Sequence, residues 1–511
     1  MRLGIDFGTT RTVIAATEQG RYPVAAFETE AGFSEYLPGL AVCTPDLLCF
    51  GFEANEALDS ARAVVRSIKR STTLVPHTEP VPEFEGIPVS SLELVTRYAR
   101  FVRRMLFEKS NLDLDPEEPL EAMVAVPANS GNRQRYLVLE AFRRAGFEIL
   151  GMVNEPTAAA IEFSRRHIGM LSRRSPKRYV AVYDLGGGTF DSAAVSLEGR
   201  RFELIASEGV ARLGGDDFDE IILELALQEI GRGFEDLGPG ARVRALGVCQ
   251  RAKETLGASS RRVMLDLTEV WPDTDPVILD TATVYDRCQP LIDQTVDKVD
   301  IVFGQLGAQG IDVDNPRELG AIYLVGGGAA FPPVMRTLKR RFGRKIQLAP
   351  QPHAATALGL AIAADPEAEI YIRECLSRHF GVWRDAWGGA DQWFDRIVHR
   401  DQPRSEDGPV VVERWYRPQH ALGRLRFVEC SDLNGEGGPA GDVTPLGEVV
   451  FPYDPALRDV EALDELPQRH LGYDGDEIVE RYTYNHDGSI ALDIQNRTHG
   501  YQRNFLLGQL H

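Results

Sequence analysis

A short segment that occurs twice is the strongest constraint on the fold of this 511-residue chain. Asp6-Phe7-Gly8-Thr9-Thr10 and Asp184-Leu185-Gly186-Gly187-Gly188-Thr189 each follow an apolar, strand-like run and begin with an aspartate. Glycines in such a turn let backbone amides approach phosphate oxygens closely, and the threonine adds a hydroxyl donor. Two copies of one strand-turn unit are therefore expected to face each other across a cleft.

The aspartate that begins each copy limits what the cleft can hold. A carboxylate repels a bare phosphate, so the arrangement requires a cation between them, and oxygen ligands of this kind suit Mg²⁺. The chain has 56 Lys and Arg against 76 Asp and Glu, and the field of this net charge of −20 repels nucleic acid. The sequence thus predicts a local magnesium–nucleotide site and no nucleic-acid partner.

The first two thirds of the chain have an alternating pattern. Up to about residue 365, short β-rich runs such as Met123–Val126, Tyr179–Tyr183 and Ile322–Val325 alternate with segments at helical spacing. In Glu93–Lys109 the apolar residues fall on one helical face. The pattern predicts an α/β domain over 1–365, which ends in a packed helix at Thr356–Ala364.

The remaining sequence is predicted to form a β domain over 381–511. Ile478–Tyr484 and the alternating Ile490, Leu492 and Ile494 flank the turn dipeptide Asp487-Gly488, a pattern typical of a hairpin with one buried face. Between the two domains, 366–380 is predicted to be a linker, with a short helix in this stretch as the alternative.

A group of tryptophans stands where the β domain begins. We expect these side chains to pack in its core, because aromatic side chains in a sandwich normally supply buried area, but an apolar peptide groove is the alternative. They are Trp383, Trp387, Trp393 and Trp415.

Cysteine usage and the N-terminal sequence bear on location. The six cysteines are far apart and form no Cys-x-x-Cys pair, which is typical of a reducing compartment. Met1 leads directly into a strand-like run, and no stretch of 18 or more apolar residues occurs. We therefore expect a cytoplasmic protein with no membrane association.

Three further segments follow in a characteristic order: Asn154–Ala160, Leu213-Gly214-Gly215-Asp216-Asp217-Phe218-Asp219, and the glycines of Val325–Gly328. Together with the repeated turn, they resemble the actin-like ATPase superfamily and, within it, the DnaK-type seventy-kilodalton heat-shock chaperones. The resemblance covers residues 1 to about 365 and continues more faintly beyond, as at Gly388-Gly389. It implies a two-lobed, duplicated ribonuclease H-like ATPase domain followed by a β-sandwich.

The resemblance also implies a role for each matching residue, with ATP or ADP and Mg²⁺ as ligands. The implied catalytic residues are Lys69, which would orient the attacking water, Glu155, Asp184, Thr189 and Asp191. The implied nucleotide-binding residues are Gly8, Thr9, Thr10, Gly186, Gly187, Gly188, Gly214, Gly215, Lys253, Gly326 and Gly327. Asp6 and Asp184 are implied to hold Mg²⁺ through its waters.

The chain departs from the family pattern in four places. Glu254 and Ala330 stand where the family stacks adenine between two arginines, which predicts weaker adenine discrimination and faster nucleotide exchange. Leu150-Gly151 replaces the basic pair that meets a J-domain co-chaperone, and Ile370–Leu376 replaces the leucine-rich linker. The sequence ends at His511 without the family's helical lid, so we expect rapid release of bound peptide.

The favoured function is an ATP-dependent chaperone that binds unfolded client polypeptide, with a J-domain protein or an exchange factor as possible further partners. A small-molecule kinase of the same superfamily is the first alternative, and it is disfavoured because Lys69 occupies the place of an aspartate base. A regulatory or scaffold protein that binds nucleotide with little hydrolysis is the second alternative. The altered adenine pocket and linker motivate it.

Overall fold

The structure, a computed structural model, describes residues 1–30, 32–73, 75–128, 130–167, 178–373, 378–386, 391–400, 409–460, 462–463, 466, 475–485 and 489–507. The chain divides into two compact units. The first unit comprises Met1–Ala128 and Glu140–Ile372, and the second comprises Asn129–Leu139 and Arg373–His511.

The secondary structure up to residue 373 mixes strands and helices. The strands are β1 (Arg2–Phe7), β2 (Arg11–Ala16), β3 (Phe27–Thr29), β4 (Gly32–Ser34), β5 (Leu37–Pro38), β6 (Ala41–Cys43), β7 (Leu48–Phe50), β8 (Ala63–Val65), β9 (Leu120–Val126), β10 (Phe147–Asn154), β11 (Tyr179–Leu185), β12 (Phe190–Glu198), β13 (Arg201–Val210), β14 (Arg262–Leu265), β15 (Val277–Asp280), β16 (Leu319–Val325), β17 (Ile346–Leu348) and β18 (Tyr371–Arg373). The helices are α1 (Gly51–Glu56), α2 (Ile68–Thr72), α3 (Ser91–Glu108), α4 (Asn132–Arg144), α5 (Glu155–His167), α6 (Gly215–Glu229), α7 (Pro239–Glu254), α8 (Thr281–Ala308), α9 (Pro332–Phe342) and α10 (Ala355–Ala364). Within the described ranges, none of the helices has the length and apolarity needed to cross a bilayer.

Two mixed sheets of the first unit share one order of strands. The order is β10-β9-β1-β2-β5 in one sheet and β17-β16-β11-β12-β13-β18 in the other. In each sheet the first two pairings are parallel and the next two antiparallel. The β1–β2 and β11–β12 hairpins therefore hold corresponding positions, and their turns are the two copies of the repeated segment.

Helix α3 confirms the amphipathic pattern of its sequence. The Ser90 side chain caps the helix by accepting a hydrogen bond from the backbone N–H of Glu93 at 3.2 Å. The Tyr98 hydroxyl donates to Thr12 Oγ1 on β2 at 2.9 Å, so the helix is fixed against the first sheet. The apolar face is buried along its length, at Leu94, Tyr98, Val102 and Met105.

Helix α10 also confirms its sequence pattern, and it packs closely against β1 and α5. A Cβ atom at Gly359 would lie 1.8 Å from the carbonyl oxygen of Ala158 in α5. One at Gly4 in β1 would lie 2.3 Å from the backbone nitrogen of Ala361. Because glycine permits these approaches, the first turn of α5 is held beside β1, where the first Gly-Thr turn begins.

The stretch between the two units contains more local structure than a plain linker. A 3-10 turn spans Pro366–Ala368, and β18 adds to the edge of the second sheet. The N–H of Tyr371 donates to the carbonyl oxygen of Arg200 at 2.9 Å. The division between the units falls after Ile372, and Glu374–Ser377 of the expected linker lie outside the described residues.

The second unit contains two antiparallel four-stranded sheets around one core. Its strands are β19 (His379–Ala386), β20 (Asp391–Val398), β21 (Val410–Tyr416), β22 (Leu422–Leu433), β23 (Pro439–Pro452), β24 (Ile478–Tyr484), β25 (Ile490–Asn496) and β26 (Tyr501–Leu507). The sheet orders are β20-β19-β22-β23 and β21-β24-β25-β26. Both sheets contribute to the core, for example through Phe380, Phe427, Tyr482 and Ile494.

The predicted hairpin is present as β24–β25, with Ile490, Leu492 and Ile494 buried on one face. Its predicted turn, Asp487-Gly488, lies outside the described residues, as do Gly388-Gly389 and Trp387. The core assignment of the tryptophans is wrong for Trp393 and Trp415, which are 50% and 51% exposed. On β21, Val412 and Tyr416 pack against the core, so Trp415 lies on the opposite face of its strand. Trp393 lies near the start of β20, beside the exposed Gln392.

Candidate functional site

A cleft in the first unit brings together most of the residues singled out by sequence. Those that line it are Asp6, Gly8, Thr9, Thr10, Lys69, Glu155, Asp184, Gly186, Gly187, Thr189, Gly215, Lys253, Gly326 and Gly327. The predicted residues Gly188, Asp191 and Gly214 are not part of its lining.

The two repeated turns are closed in the same way and touch each other. The N–H of Gly8 donates to Arg11 O at 3.1 Å, and the N–H of Gly186 donates to Thr189 O at 3.0 Å. A Cβ atom at Gly187 would lie 2.2 Å from Thr10 Oγ1, so only glycine fits there without displacing the facing turn. The two Gly-Thr turns thus form one continuous wall of backbone and hydroxyl groups.

A buried ion pair lies at the base of these turns. Lys69 Nζ, from the first turn of α2, donates to Glu155 Oε1, at the start of α5, over 2.6 Å. Both side chains are more than nine-tenths buried. Burial alone lowers the pKa of the Lys69 ammonium, but Glu155, Asp6 and Asp191 outweigh it, so the net pKa is raised and the lysine stays charged.

Three aspartates surround this pair and hold protons more tightly than usual. Loss of solvent, followed by repulsion from Glu155, raises the pKa of Asp6 to about 7, and Lys69 offsets this only in part. The same causes raise the pKa of Asp191 to about 7. The pKa of Asp184 is raised well above its ordinary value by loss of solvent and by the three neighbouring carboxylates.

Four carboxylates around one ammonium form a site that suits a divalent cation. Repulsion between the carboxylates adds to the loss of solvent in raising the pKa values of Asp6, Asp184 and Asp191, and a cation would relieve this repulsion. In the part of the chain that the structure describes, no three His, Cys, Asp or Glu side chains converge closely enough to coordinate an ion directly. Carboxylate oxygens are ligands that Mg²⁺ prefers, so the residues present fit such an ion.

A second polar cluster, which sequence reasoning missed, fixes Lys253. Its ammonium lies 2.7 Å from Asp219 Oδ1 and donates to the carbonyl oxygen of Gly215 at 2.6 Å. Arg66 pairs with Asp219 and Asp216, each at 3.2 Å. The aspartates of Leu213–Asp219 indicated a nearby cation, but their partner Arg66 is about 150 positions away in the sequence.

The two glycines of this loop use their amides within the protein. The N–H of Gly215 donates to the carbonyl oxygen of Gly186 at 2.9 Å, and that of Gly214 donates to Asp217 Oδ2 at 2.8 Å. Gly326 has a φ of +80°, and a Cβ atom there would lie 2.3 Å from the carbonyl oxygen of Leu185. These glycines shape the wall on which the second Gly-Thr turn rests.

Another part of the cleft lining combines apolar and charged side chains. Arg11 pairs with Glu254 at the end of α7, and its guanidinium lies 4.3 Å from the centroid of the Tyr36 ring. Gln250 Nε2 donates to Glu254 Oε1 at 3.1 Å. Ala330, Phe331 and Leu256 supply apolar surface beside these groups. Sequence reasoning located Glu254 and Ala330 here but missed Arg11.

Comparisons with known proteins agree with this geometry. A family model described as Hsp70 protein matches residues 109–368, just over half of the chain. A heat shock protein of Pyricularia oryzae is 29% identical over 498 residues, which cover 91% of this chain and 77% of that protein. The HscA chaperone homolog of Paracidovorax citrulli is 27% identical over 422 residues, which cover 78% of this chain and 64% of that protein.

The cleft and these matches define the class of the protein, an ATP-hydrolysing chaperone. The chain belongs to the Hsp70 family. The family resemblance found in the sequence is therefore confirmed, and neither the small-molecule kinase nor the weakly hydrolysing scaffold is favoured.

Proposed function

We propose that the cleft of the first unit binds ATP and hydrolyses it to ADP and phosphate with the side chains that line it. The observation that supports this most strongly is the buried Lys69–Glu155 pair, set among three aspartates where the two Gly-Thr turns meet. Transfer of a phosphoryl group to water needs mainly in-line positioning and neutralisation of charge. Such a cluster can supply both.

The proposed roles follow from where each group lies. Thr9, Thr10, Thr189 and the amides of the two turns would bind the phosphates, and Lys253 would add a positive charge to the wall. Asp6 and Asp184 would hold Mg²⁺ through its waters, and the ion would neutralise phosphate charge.

Lys69 would orient the attacking water. Its ammonium is held by Glu155, which leaves its remaining N–H groups to bind other acceptors in the cleft. Asp191 is the register partner of Asp184 on the neighbouring strand and lies outside the lining, so we propose that it acts through Asp184 and Lys69 and does not contact the nucleotide. Gly188 and Gly214 are proposed to shape the site.

The common strand order of the two large sheets supports the actin-like, two-lobed interpretation of the first unit. In this arrangement each large sheet belongs to one lobe of the first unit, and ATP hydrolysis would change the equilibrium between two relative positions of these lobes. We further propose that the sandwich of the second unit binds unfolded client polypeptide, that the nucleotide state changes its affinity, and that the protein works in the cytoplasm. J-domain proteins and exchange factors are weaker candidates as partners.

A single experiment tests the proposed roles. Single-turnover hydrolysis of radiolabelled ATP would be followed for the full chain, for Lys69→Ala and for Lys109→Ala, which changes a lysine at the end of α3 outside the cleft. We expect hydrolysis to fall at least about a hundredfold in Lys69→Ala and to be unchanged in the control. Equal rates in all three proteins would refute the assignment.

A further inference from the structure

The cleft lining around Glu254 has a distinctive set of hydrogen-bonding groups. An ionised carboxylate only accepts hydrogen bonds, and its two oxygens together offer about four lone-pair sites. Glu254 is about half exposed, and both of its protein contacts, from Arg11 and Gln250, go to Oε1. No donor among the described residues contacts Oε2. A charged acceptor with spare capacity is therefore present in the wall of the cleft.

Arg11 is the matching donor beside it. Its guanidinium is held between the Tyr36 ring and Glu254, and its side chain is only 19% exposed. A guanidinium has five N–H groups in a rigid fork, so the pair with Glu254 leaves others to donate to a ligand. Gln250 is oriented by Arg66, which donates to its Oε1 at 3.5 Å, so its Nε2 faces Glu254. These contacts hold Glu254 and Arg11 in place before a ligand arrives.

The order of acceptor and donor suits one purine better than the other. Guanine presents two neighbouring N–H donors, N1–H and the 2-amino group, next to the acceptor O6. Adenine presents one donor, the 6-amino group, between the acceptors N1 and N7. Oε2 of Glu254 has both of its lone-pair sites available, so it can accept from two neighbouring N–H groups in a charge-assisted contact that only guanine completes.

We propose that Glu254, with Arg11 beside it, recognises the hydrogen-bonding edge of a guanine base, so that this protein binds guanine nucleotides at least as tightly as adenine nucleotides. Glu254 would accept from N1–H and the 2-amino group, and Arg11 would donate to O6. Ala330, Phe331 and Leu256 would contact the faces of the ring. The proposal rests on the nucleotide site proposed above and specifies its base preference.

The test is titration calorimetry of the full chain with MgADP, MgGDP and MgIDP, since diphosphates avoid turnover during the measurement. Hypoxanthine, the base of IDP, retains N1–H and O6 but lacks the 2-amino group. We expect MgGDP to bind at least as tightly as MgADP, and MgIDP to bind about five- to tenfold more weakly than MgGDP. Equal affinities for MgGDP and MgIDP, or tighter binding of MgADP than of MgGDP, would overturn the proposal.

Two variants separate recognition of the base from a structural effect. Glu254→Gln keeps the shape of the side chain but replaces one acceptor oxygen by a donor, so the MgGDP to MgADP affinity ratio should fall about tenfold or more. Glu269→Gln is the matched control, because Glu269 also pairs with a residue of α7, Arg251, but does not line the cleft. An unchanged ratio in Glu254→Gln, or an equal fall in the control, contradicts the inference.

The same titrations distinguish this inference from the proposed function. If MgADP binds and the base preference is absent, the nucleotide site stands and only the role of Glu254 and Arg11 fails. If neither MgADP nor MgGDP binds the wild-type chain, the nucleotide site itself is wrong and the inference fails with it.

Discussion

Asp184 and Asp191 are register partners on the adjacent antiparallel strands β11 and β12, so two carboxylates stand directly opposite each other. Like charges in such a pair destabilise a sheet, and Asp191 is also buried. Among the described residues, the cation that acts on Asp191 is Lys69, and it does not restore the ordinary pKa. The hairpin thus keeps an unfavourable pair of charges at the cleft, as expected where binding is favoured over stability.

Asp191→Asn should stabilise the protein at pH 8. Loss of solvent and repulsion from Glu155 raise the pKa of Asp191 from 3.8 to about 7 in the folded chain, so the folded state binds the proton more tightly than the unfolded state. The stabilisation that protonated Asp191 gives the folded state is fully present below pH 3.8, and it is lost as the pH rises through about 7. The amide removes this loss, so the free energy of unfolding should rise by a few kcal/mol at pH 8 and change little near pH 4.

Urea denaturation at the two pH values measures this difference. Asp46→Asn is the control, because Asp46 lies exposed in a turn and should show no pH-dependent gain. A gain in Asp191→Asn of the same size at pH 4 and pH 8 would mean that the charge of Asp191 is not its cause.

Lys69→Met should destabilise the first unit as well as abolish hydrolysis. Removing the ammonium leaves Glu155 buried without its partner, and breaking a buried ion pair in this way costs about 3–5 kcal/mol. Combining Lys69→Met with Glu155→Gln should recover part of the stability and none of the ATPase activity. Denaturation of the two single variants and the double variant, with ATPase assays on each, would check both statements. Additive losses of stability would contradict the coupling.

The sequence predicted the structural elements and site residues that belong to local motifs, and it missed the residue pairs that come together only when the chain folds. The two Gly-Thr turns, α3 and the β24–β25 hairpin follow from spacing and periodicity, and the structure has all three. The pairing of Arg66 with Asp216 and Asp219 depends on tertiary structure, which no local pattern encodes. Trp415 was misjudged because hydrophobicity alone does not say which face of a strand is buried, and Trp393 because it does not say where along a strand burial begins.

Binding of the magnesium nucleotide should release protons near neutral pH. Loss of solvent and repulsion from Glu155 raise the pKa of Asp6 to about 7, and a carboxylate must be ionised to hold a cation. The affinity for MgADP should therefore rise about tenfold from pH 6 to pH 8. Calorimetry at pH 7 in two buffers of different ionisation enthalpy would measure the protons released. Asp6→Asn should lower their number, and an unchanged number would exclude Asp6 as the source.

Arg384→Met should destabilise the second unit. Glu480 is fully buried between the sheets, and Arg384 donates to both of its oxygens, at 3.2 and 2.6 Å. The hydroxyls of Tyr416 and Tyr482 also donate to Glu480, but they are neutral and cannot balance its charge. Loss of Arg384 therefore breaks a buried ion pair, and the free energy of unfolding should fall by about 3–5 kcal/mol. Four of the five tryptophans lie in this unit, so their fluorescence reports its unfolding in urea. Arg481→Met is the control, since Arg481 pairs with Glu413 at the surface, and an equal loss there would contradict the role of burial.

Gly359→Ala should reverse the usual effect of replacing a helical glycine by alanine. In an exposed helix this change stabilises by about 0.5–1 kcal/mol, and we expect such a gain for Gly304→Ala in α8, where a Cβ atom would meet nothing within 4 Å. In α10 the same Cβ atom would lie 1.8 Å from the carbonyl oxygen of Ala158, so α5 and α10 must separate. Overpacking of this kind costs about 1–3 kcal/mol or more, and the separation would move Glu155, at the start of α5, away from Lys69. Thermal unfolding of the two variants should therefore shift in opposite directions, and only Gly359→Ala should lose ATPase activity. Stabilisation by both alanines would show that α5 and α10 are not in close contact in solution.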